Sequence, residues 1–435
     1  MPKSPALARS AAASRVLLAA TFYLFLLASF YVLRPVREEI GADQEDVLAW
    51  LQTFTFLGML VAVPLYSALV ARFPRRRFIS WTYQFFALNL VGFFLVWRFV
   101  PAEDRRIEER VFFVWHSVYN LFIVAVFWSF MADLHRAEEA KRRFGLIAVG
   151  GTIGGILGAQ ALKHVVASWG APGAFLAALA LLEVANLCAW ILDRRARNEA
   201  AAAAPGPSFA TFRPAGGEAD RPLGGSVLEG FRTVLRSPYL LMISLYIAVQ
   251  SLVNTFAYFE QAKIVKAALP GEEERLILFA NMDVAVNAIT LALQLLVVSR
   301  VMRRFGVQAA IVVMPLLAVA GFALLGTSPT LPVVVGLMVA LRCARYGMTK
   351  PAREVLFTVV PRADKYKAKA FVDTVLYRGG DTAAGWAFAG LEQAKLGLAA
   401  IALGTVPIAA GWVFVGRYLG RRQQALAEEQ GPRDG

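Results

Sequence analysis

The sequence predicts an all-α polytopic membrane protein with twelve transmembrane helices in two six-helix halves. Three observations lead there. The 435 residues are 58% hydrophobic and only 17% charged, with a mean hydropathy of +0.54; soluble domains sit near roughly half apolar and a quarter charged. Apolar runs of about 20 residues, enough to cross a hydrocarbon core, recur along the chain. The net charge of +14 is concentrated in short connections between those runs. Membrane orientation by positive loops produces that placement, so the charge does not imply a nucleic-acid partner.

In order, residues 1–14 form a tail and 15–192 the N-terminal six-helix half, with spans near 15–34, 47–71, 78–99, 110–132, 145–168 and 172–192. The first run follows Lys3, Arg9 and Arg15 and superficially resembles a secretory signal. It is too long, and it ends in Arg34-Pro35-Val36-Arg37-Glu38-Glu39 rather than at a small-residue cleavage site, so it reads as a membrane helix. Residues 193–238 are a linker rich in Ala, Pro, Gly and Arg. Its end carries Val227, Leu228, Phe231, Val234 and Leu235 at helical spacing, which predicts an interfacial helix. The C-terminal half, 239–418, has spans near 239–259, 276–299, 307–327, 331–357, 370–391 and 396–417, and 419–435 form a second tail. Alternate connections, with the helix ends adjoining them, carry about 29 of the 45 Lys and Arg on one side and about 11 on the other, which places both termini and the linker in the cytoplasm.

The halves repeat weakly. Ala71-Arg72-Phe73-Pro74-Arg75 is echoed by Arg303-Arg304-Phe305-Gly306, and Arg136, Lys141 and Gly154 find counterparts 226 residues later in Arg362, Lys367 and Gly380. Two related six-helix halves joined by a cytoplasmic linker indicate a major facilitator architecture. In that architecture spans one, four, seven and ten line the cargo cavity, an expectation by analogy.

Span ten is where the charge is least expected. Leu331 to Pro361 carries Arg342, Arg345, Lys350, Arg353 and Glu354. A cation near a bilayer centre costs from about 3 to more than 10 kcal/mol, so such residues face water, a partner or a ligand. On an ideal helix Arg342, Arg345 and Arg353 share an arc of about 80° over about 16 Å, with Lys350 at its edge. One carboxylate does not neutralise four cations, and the surplus points to an anionic cargo. A pattern [RK]-P-x-R-E occurs at Arg34 to Glu38 and again at Lys350 to Glu354, each at an expected helix C-terminus. Arg34 and Arg37 then read either as gate residues exchanging ion-pair partners or as cations complementing a helix dipole.

Other polar residues in the spans have plain readings beside functional ones. Arg378 and Asp381 are three apart and can pair on one helix face, with Asp373 nearby. Asp283, Asn287 and Gln294 form a stripe on span eight, and Gln250, Asn254, Glu260 and Lys263 lie on span seven. Asp283 and Glu260 are candidate partners for the cationic wall or candidate proton carriers; amide stripes also serve as interhelical hydrogen bonds. His116 on span four reads as a titrating group or as an interfacial residue. Gly150, Gly151, Gly154, Gly155 and Gly158 lie within an apolar helix and follow no strand, so they indicate close helix packing rather than a nucleotide loop. Cys188 and Cys343 lie in apolar spans and suggest neither a disulfide framework nor a metal site.

Three stretches carry a resemblance. Tyr31 to Glu38, Phe127-Trp128-Ser129-Phe130-Met131-Ala132-Asp133 and Lys350 to Glu354, with Asp364 to Asp373 following, resemble bacterial members of the ATP:ADP antiporter (nucleotide transporter) family. The resemblance implies twelve spans, exchange of nucleotides across a membrane, and phosphate contacts from Lys350, Arg353 and Arg378. The sequence departs from the family's fuller set of charged cavity residues in spans four and seven, and this leaves the cargo open.

The expected function is alternating-access transport of an organic anion, with ATP/ADP-type exchange as the leading cargo. Arg342, Arg345, Lys350, Arg353 and Arg378 would bind it; Arg34, Arg37, Glu354, Asp373 and Asp381 would gate or pair; Asp283, Glu260, Asn287, Asn254 and His116 would couple or line the cavity. Two alternatives stand beside it: a proton-coupled transporter of an unrelated solute, and a membrane scaffold or sensor that transports nothing. No nucleophile–base pair, redox motif or metal cluster suggests an enzyme, and no cofactor is implied. The expected setting is a monomer in the bacterial inner membrane.

Overall fold

The computed structural model describes residues 5–72, 75–134, 137–203 and 227–429, and among these every regular element is helical. The N-terminal part comprises α1 (Pro5–Asp43), α2 (Leu48–Arg72), α3 (Arg75–Phe99), α4 (Arg106–Leu134), α5 (Ala137–Trp169) and α6 (Pro172–Ala203). The amphipathic α7 (Val227–Arg236) follows; Phe231 on it meets Phe371 at 5.6 Å. After it come α8 (Pro238–Ala268), α9 (Glu272–Ala292), α10 (Ser299–Thr327), α11 (Leu331–Ala344), α12 (Lys350–Leu356), α13 (Arg362–Phe371), α14 (Tyr377–Gln393) and α15 (Leu398–Glu429).

Ten helices among the described residues are long and apolar enough to cross a membrane. One of them, Glu272–Thr327, is 56 residues long, about twice a crossing. It is broken at Gly306, whose φ of 75° and ψ of 176° end a helix and which a side chain would not tolerate. The eleventh span, α13 to α14, is helical throughout but too charged to qualify by composition. The all-helical, two-times-six expectation therefore agrees with the helices observed.

Two compact units emerge. One contains residues 1–44, 53–208 and 269–288, the other 45–52, 209–268 and 289–435. Within the first, α1 and α5 cross at backbone distance. A Cβ added to Gly150, Gly154 or Gly158 would stand 2.3, 2.1 or 2.3 Å from the carbonyl oxygens of Ala20, Leu24 and Ala28. Glycines four apart form one bare stripe, and in an apolar setting such close approach is what holds helices together. Gly380, the repeat counterpart of Gly154, faces Ser251 on α8 at 3.0 Å. Each half thus sets the same glycine against its first helix.

Three helices depart from α geometry through π turns at Leu293–Val298, Arg345–Thr349 and Val372–Leu376. The middle one follows from sequence. Pro351 has no N–H to give the carbonyl of Gly347, and its ring crowds that carbonyl. The turn widens, and the Lys350 N–H reaches the Arg345 carbonyl instead. Gly347 also lets Leu293 approach, its Cβ 3.1 Å from a Cβ built on the glycine.

One boundary differs from expectation. Helix α1 does not end near Arg34 but runs through Pro35 to Asp43, so the Arg34–Glu38 motif is intrahelical; the hydrogen bond lost at proline is tolerable where neighbouring helices surround the backbone. Lys350–Glu354 lies, as expected, in the last turns of the continuous helix Leu331–Val359, with Pro351 directly after the π turn.

Gly154→Val is expected to lower thermal stability in detergent by about 3 kcal/mol, because the added side chain meets backbone that cannot rotate away. Gly404→Ala, with nothing within 4 Å of its Cβ, should leave the melting temperature unchanged. Equal melting curves for the two variants would show that the α1–α5 crossing is not tight.

Candidate functional site

In the first unit the charges near the C-terminal end of α1 interlock. Arg34 Nη1 lies 3.2 Å from Asp283 Oδ1 on α9, and its Nε 3.7 Å from Glu38. Asp283 is 1% exposed. A carboxylate so buried is tolerated only with a cation beside it, and losing that cation is far costlier than the pair is stabilising. Arg37 lays its guanidinium 3.9 Å above the Phe113 ring, donates to the Phe113 carbonyl at 3.3 Å and sits 3.5 Å from Glu38. One turn on, Arg275 reaches Glu39 at 2.6 Å and Asp43 at 3.2 Å, and caps the carbonyls of Leu269 and Pro270. Arg105 pairs with Glu109 at 2.9 Å and Glu272 at 3.4 Å, and Gln44 donates to Glu109 at 2.7 Å while accepting from Arg110.

Polar side chains continue from this cluster along α9. Lys163 on α5 donates to Asn281 at 2.9 Å. Asn287 turns its amide back to the Asp283 carbonyl at 2.8 Å, which is local back-bonding rather than an interhelical bond. His116 is buried, stacked 4.6 Å from Phe30, with its Nε2 lacking a hydrogen-bond partner among the described residues. It lies inside the helix packing and not at an interface.

In the second unit the span-ten cations surround the π turn. The Arg345 guanidinium stands 5.3 Å from the Tyr346 ring and 5.1 Å from that of Tyr377, within cation–π range of both. Gln294, in the π turn after α9, donates to the Tyr346 carbonyl at 3.1 Å. Arg342 and Arg353 are half-buried and Lys350 is exposed. Glu354 bonds Lys369 on α13 at 2.5 Å, a partner that helical spacing does not suggest. The arc of about 80° assumed an unbroken α-helix; the π turn between Arg345 and Lys350 resets the register, so Lys350 and Arg353 do not simply continue the face of Arg342 and Arg345.

Asp381 accepts from Ser251 at 2.5 Å and from Thr255 at 3.5 Å, both on α8. Arg378 and Arg345 act on it only at longer range, so an Arg378–Asp381 contact pair does not form. The physical reason is competition: two hydroxyls on the facing helix satisfy the carboxylate in place. Asn254 donates to the Gln250 carbonyl at 2.7 Å, again local. Glu260 is fully buried, and the side chain of Asp373 lies outside the described residues.

Sequence reasoning missed Arg275, Glu39, Asp43, Arg105 and Glu109 as a network, and missed the partners of Lys263, which bridges Glu45 at 3.0 Å and Glu392 at 2.9 Å. A signal existed in the acidic run Glu38, Glu39, Asp43, Glu45, Asp46, which needs cations from elsewhere. Among the described residues no group of three or more His, Cys, Asp or Glu could hold a metal ion.

Residues 15–367 match the family model of the Major Facilitator Superfamily. The chain is similar to ADP,ATP carrier protein 1 of Chlamydia trachomatis, 25% identical over 304 residues, covering 62% of this chain and 56% of that protein. The same carrier of Chlamydia pneumoniae is 22% identical over 303 residues, with 61% and 56% coverage. The chain thus spans little more than half the length of these relatives, and the similarity agrees with the resemblance drawn from Tyr31–Glu38 and Lys350–Glu354. Among solved structures, a bacterial homologue of the iron transporter ferroportin superposes with a TM-score of 0.62 at 12% identity, covering 94% of this chain and 98% of that one. A bacterial homologue of the human lysosomal transporter Spinster gives 0.61 at 15%, with the same coverage. These likenesses establish the fold.

Arg34→Ala is expected to destabilise the protein by about 3–5 kcal/mol, since it leaves the buried Asp283 charge unmatched. Adding Asp283→Asn should recover most of that loss. A double-mutant cycle on melting temperatures that shows no coupling would mean that the two side chains do not pair.

Proposed function

Since the chain belongs to the Major Facilitator Superfamily, we propose that this multi-pass membrane transporter works by alternating access and that its cargo is a phosphorylated organic anion, with nucleotide exchange of the ATP/ADP type as the reaction. The observation that carries the cargo class is the set of cations in span ten, Arg342, Arg345, Lys350 and Arg353, set in apolar sequence around a π turn. Positions so costly in a membrane helix are kept for ligands or pathways, and π turns gather at functional sites. The similarity to the Chlamydia proteins named ADP,ATP carrier protein 1 supports a nucleotide in particular.

Guanidinium groups suit this cargo because their fork of donors matches phosphate oxygens, while an ammonium such as Lys350 acts as a point charge. Arg345, already lying against Tyr346 and Tyr377, is oriented before any ligand arrives, which lowers the entropy lost on binding. Arg378 lies on α14 directly after Tyr377 and adds positive charge to the same part of the second unit. In this reading the Arg34–Asp283 and Arg275–Glu39 pairs are gate elements that open and reform during the cycle. Positive connections orient the chain with both termini in the cytoplasm of a bacterial inner membrane, and it acts as a monomer.

Purified protein in liposomes loaded with unlabelled ADP should take up labelled ATP. Lys350→Ala and Arg353→Ala should each lower that exchange about tenfold or more, the loss of a charged hydrogen bond worth roughly 1.5–3 kcal/mol, with melting temperatures unchanged. Wild-type rates in both variants would remove these residues from the binding site, and no exchange of any nucleotide by the wild-type protein would overturn the cargo assignment.

A further inference from the structure

Glu260 lies on α8 about 12 Å before its C-terminal end, a carboxyl inside a membrane helix. It is 0% exposed, and neither Oε1 nor Oε2 has a hydrogen-bond partner among the described residues. An ionised carboxylate offers about four acceptor sites and strongly disfavours such a place. Cations are nearby but engaged elsewhere. Lys263, three residues along the same helix, is held by Glu45 at 3.0 Å and Glu392 at 2.9 Å, and Lys266 lies 3.6 Å from Glu45. The charge that acts on Glu260 is Glu392, of the same sign.

The other elements against α8 bring no relief. Helix α14 contributes Glu392, and its Asp381 is bonded nine residues earlier on α8, to Ser251. The short turn Glu45–Val47 contributes Glu45 and Asp46. Helices α7, α11 and α15 and the turn Val372–Leu376 also pack on α8; they carry Arg232 and Arg236, Arg342 and Cys343, Arg417, and Asp373 respectively, and no described side chain among these acts on Glu260 as Glu392 does. Phe256 and Phe259, on the same stretch of α8, both pack against Phe388 of α14.

We propose that Glu260 is a proton-binding site: in this conformation it is the neutral acid, and it releases its proton to water when Lys263 leaves Glu45 and Glu392 and turns to it. The i, i+3 spacing of Glu260 and Lys263 on one helix makes that second pairing available without moving backbone. The step is a simple exchange, in which one O–H bond breaks, one proton leaves, and the new carboxylate is matched by the lysine. Within the transporter reading, this makes Glu260 the group through which a proton couples to transport; the protonation itself requires no cargo.

Infrared difference spectroscopy of the whole purified protein, between acidic and alkaline buffer, tests the site without any transport assay. The wild-type protein should show a protonated carboxyl C=O band at neutral pH that Glu260→Gln removes; an identical spectrum in that variant would overturn the assignment. A second variant keeps Glu260 in place. With Glu45→Gln and Glu392→Gln together, Lys263 has lost both partners, and the band should vanish at neutral pH although Glu260 is present. Its persistence there would refute the lysine exchange. In vesicles, an inward proton gradient should accelerate anion uptake by the wild-type protein and not by Glu260→Gln; equal acceleration in both would refute coupling through this residue, while leaving the cargo class standing.

Discussion

A charge inside an apolar helix has to be answered by another, and the contact between Arg34 and Asp283 is where this constraint is most plainly met. Asp283 is almost wholly buried, and α1 would otherwise carry a guanidinium into an apolar interior. The pairing is less a source of net stability than a demand for correct assembly, because either partner alone is worse than neither. The same demand recurs one turn further on at Arg275 with Glu39 and Asp43, and again at Arg105 with Glu109 and Glu272. The N-terminal part of α9 is thereby bound to α1 by electrostatics, and residues 269–288 belong to the first compact unit although they lie beyond the linker in sequence.

Backbone geometry sets where these charges can go. The glycine stripe of α5 brings its backbone against α1 and fixes that helix over several turns. Fixing α1 fixes the depth of Arg34 and Arg37 along it. In the second unit the local rule is different: π turns after α9, before α12 and before α14 each shift the helix face that follows. Rigid crossings hold the charged pairs of one unit in register, whereas irregular turns present the cations of the other.

Much of this was legible in the sequence, and what was not has an identifiable cause. Hydropathy alone located the spans, because a membrane leaves the backbone no alternative to helix over such runs. The repeat signal was real: Gly154 and Gly380, matched by spacing, both face the first helix of their half. The helical wheel of span ten failed at Lys350 because it took a 3.6-residue turn through a stretch that Pro351 forces wider. The extent of α1 was misjudged for a related reason, since a proline signals a lost hydrogen bond but not whether the helix survives it. Partner choice was the least legible. Arg275 and Glu39 are 236 residues apart, and no local pattern links them. Arg378 and Asp381 had the right spacing, yet Ser251 and Thr255 on a facing helix took the carboxylate first.

The two kinds of buried acid in this protein separate by the same electrostatic rule. Asp283 has its arginine in contact, 3.2 Å away. Glu260 has a lysine on its own helix, but that lysine already serves two other acids. A side chain with three donors and a flexible stem can exchange partners at little cost, whereas a guanidinium seated among fixed acceptors is harder to displace. It follows that a charge rearrangement in the second unit begins more readily at Lys263 than at any of the arginine pairs of the first. With Lys263 turned to Glu260, Glu45 still has Lys266 at 3.6 Å and Glu392 is partly open to solvent, so the proton content of the site falls by the one proton that Glu260 releases.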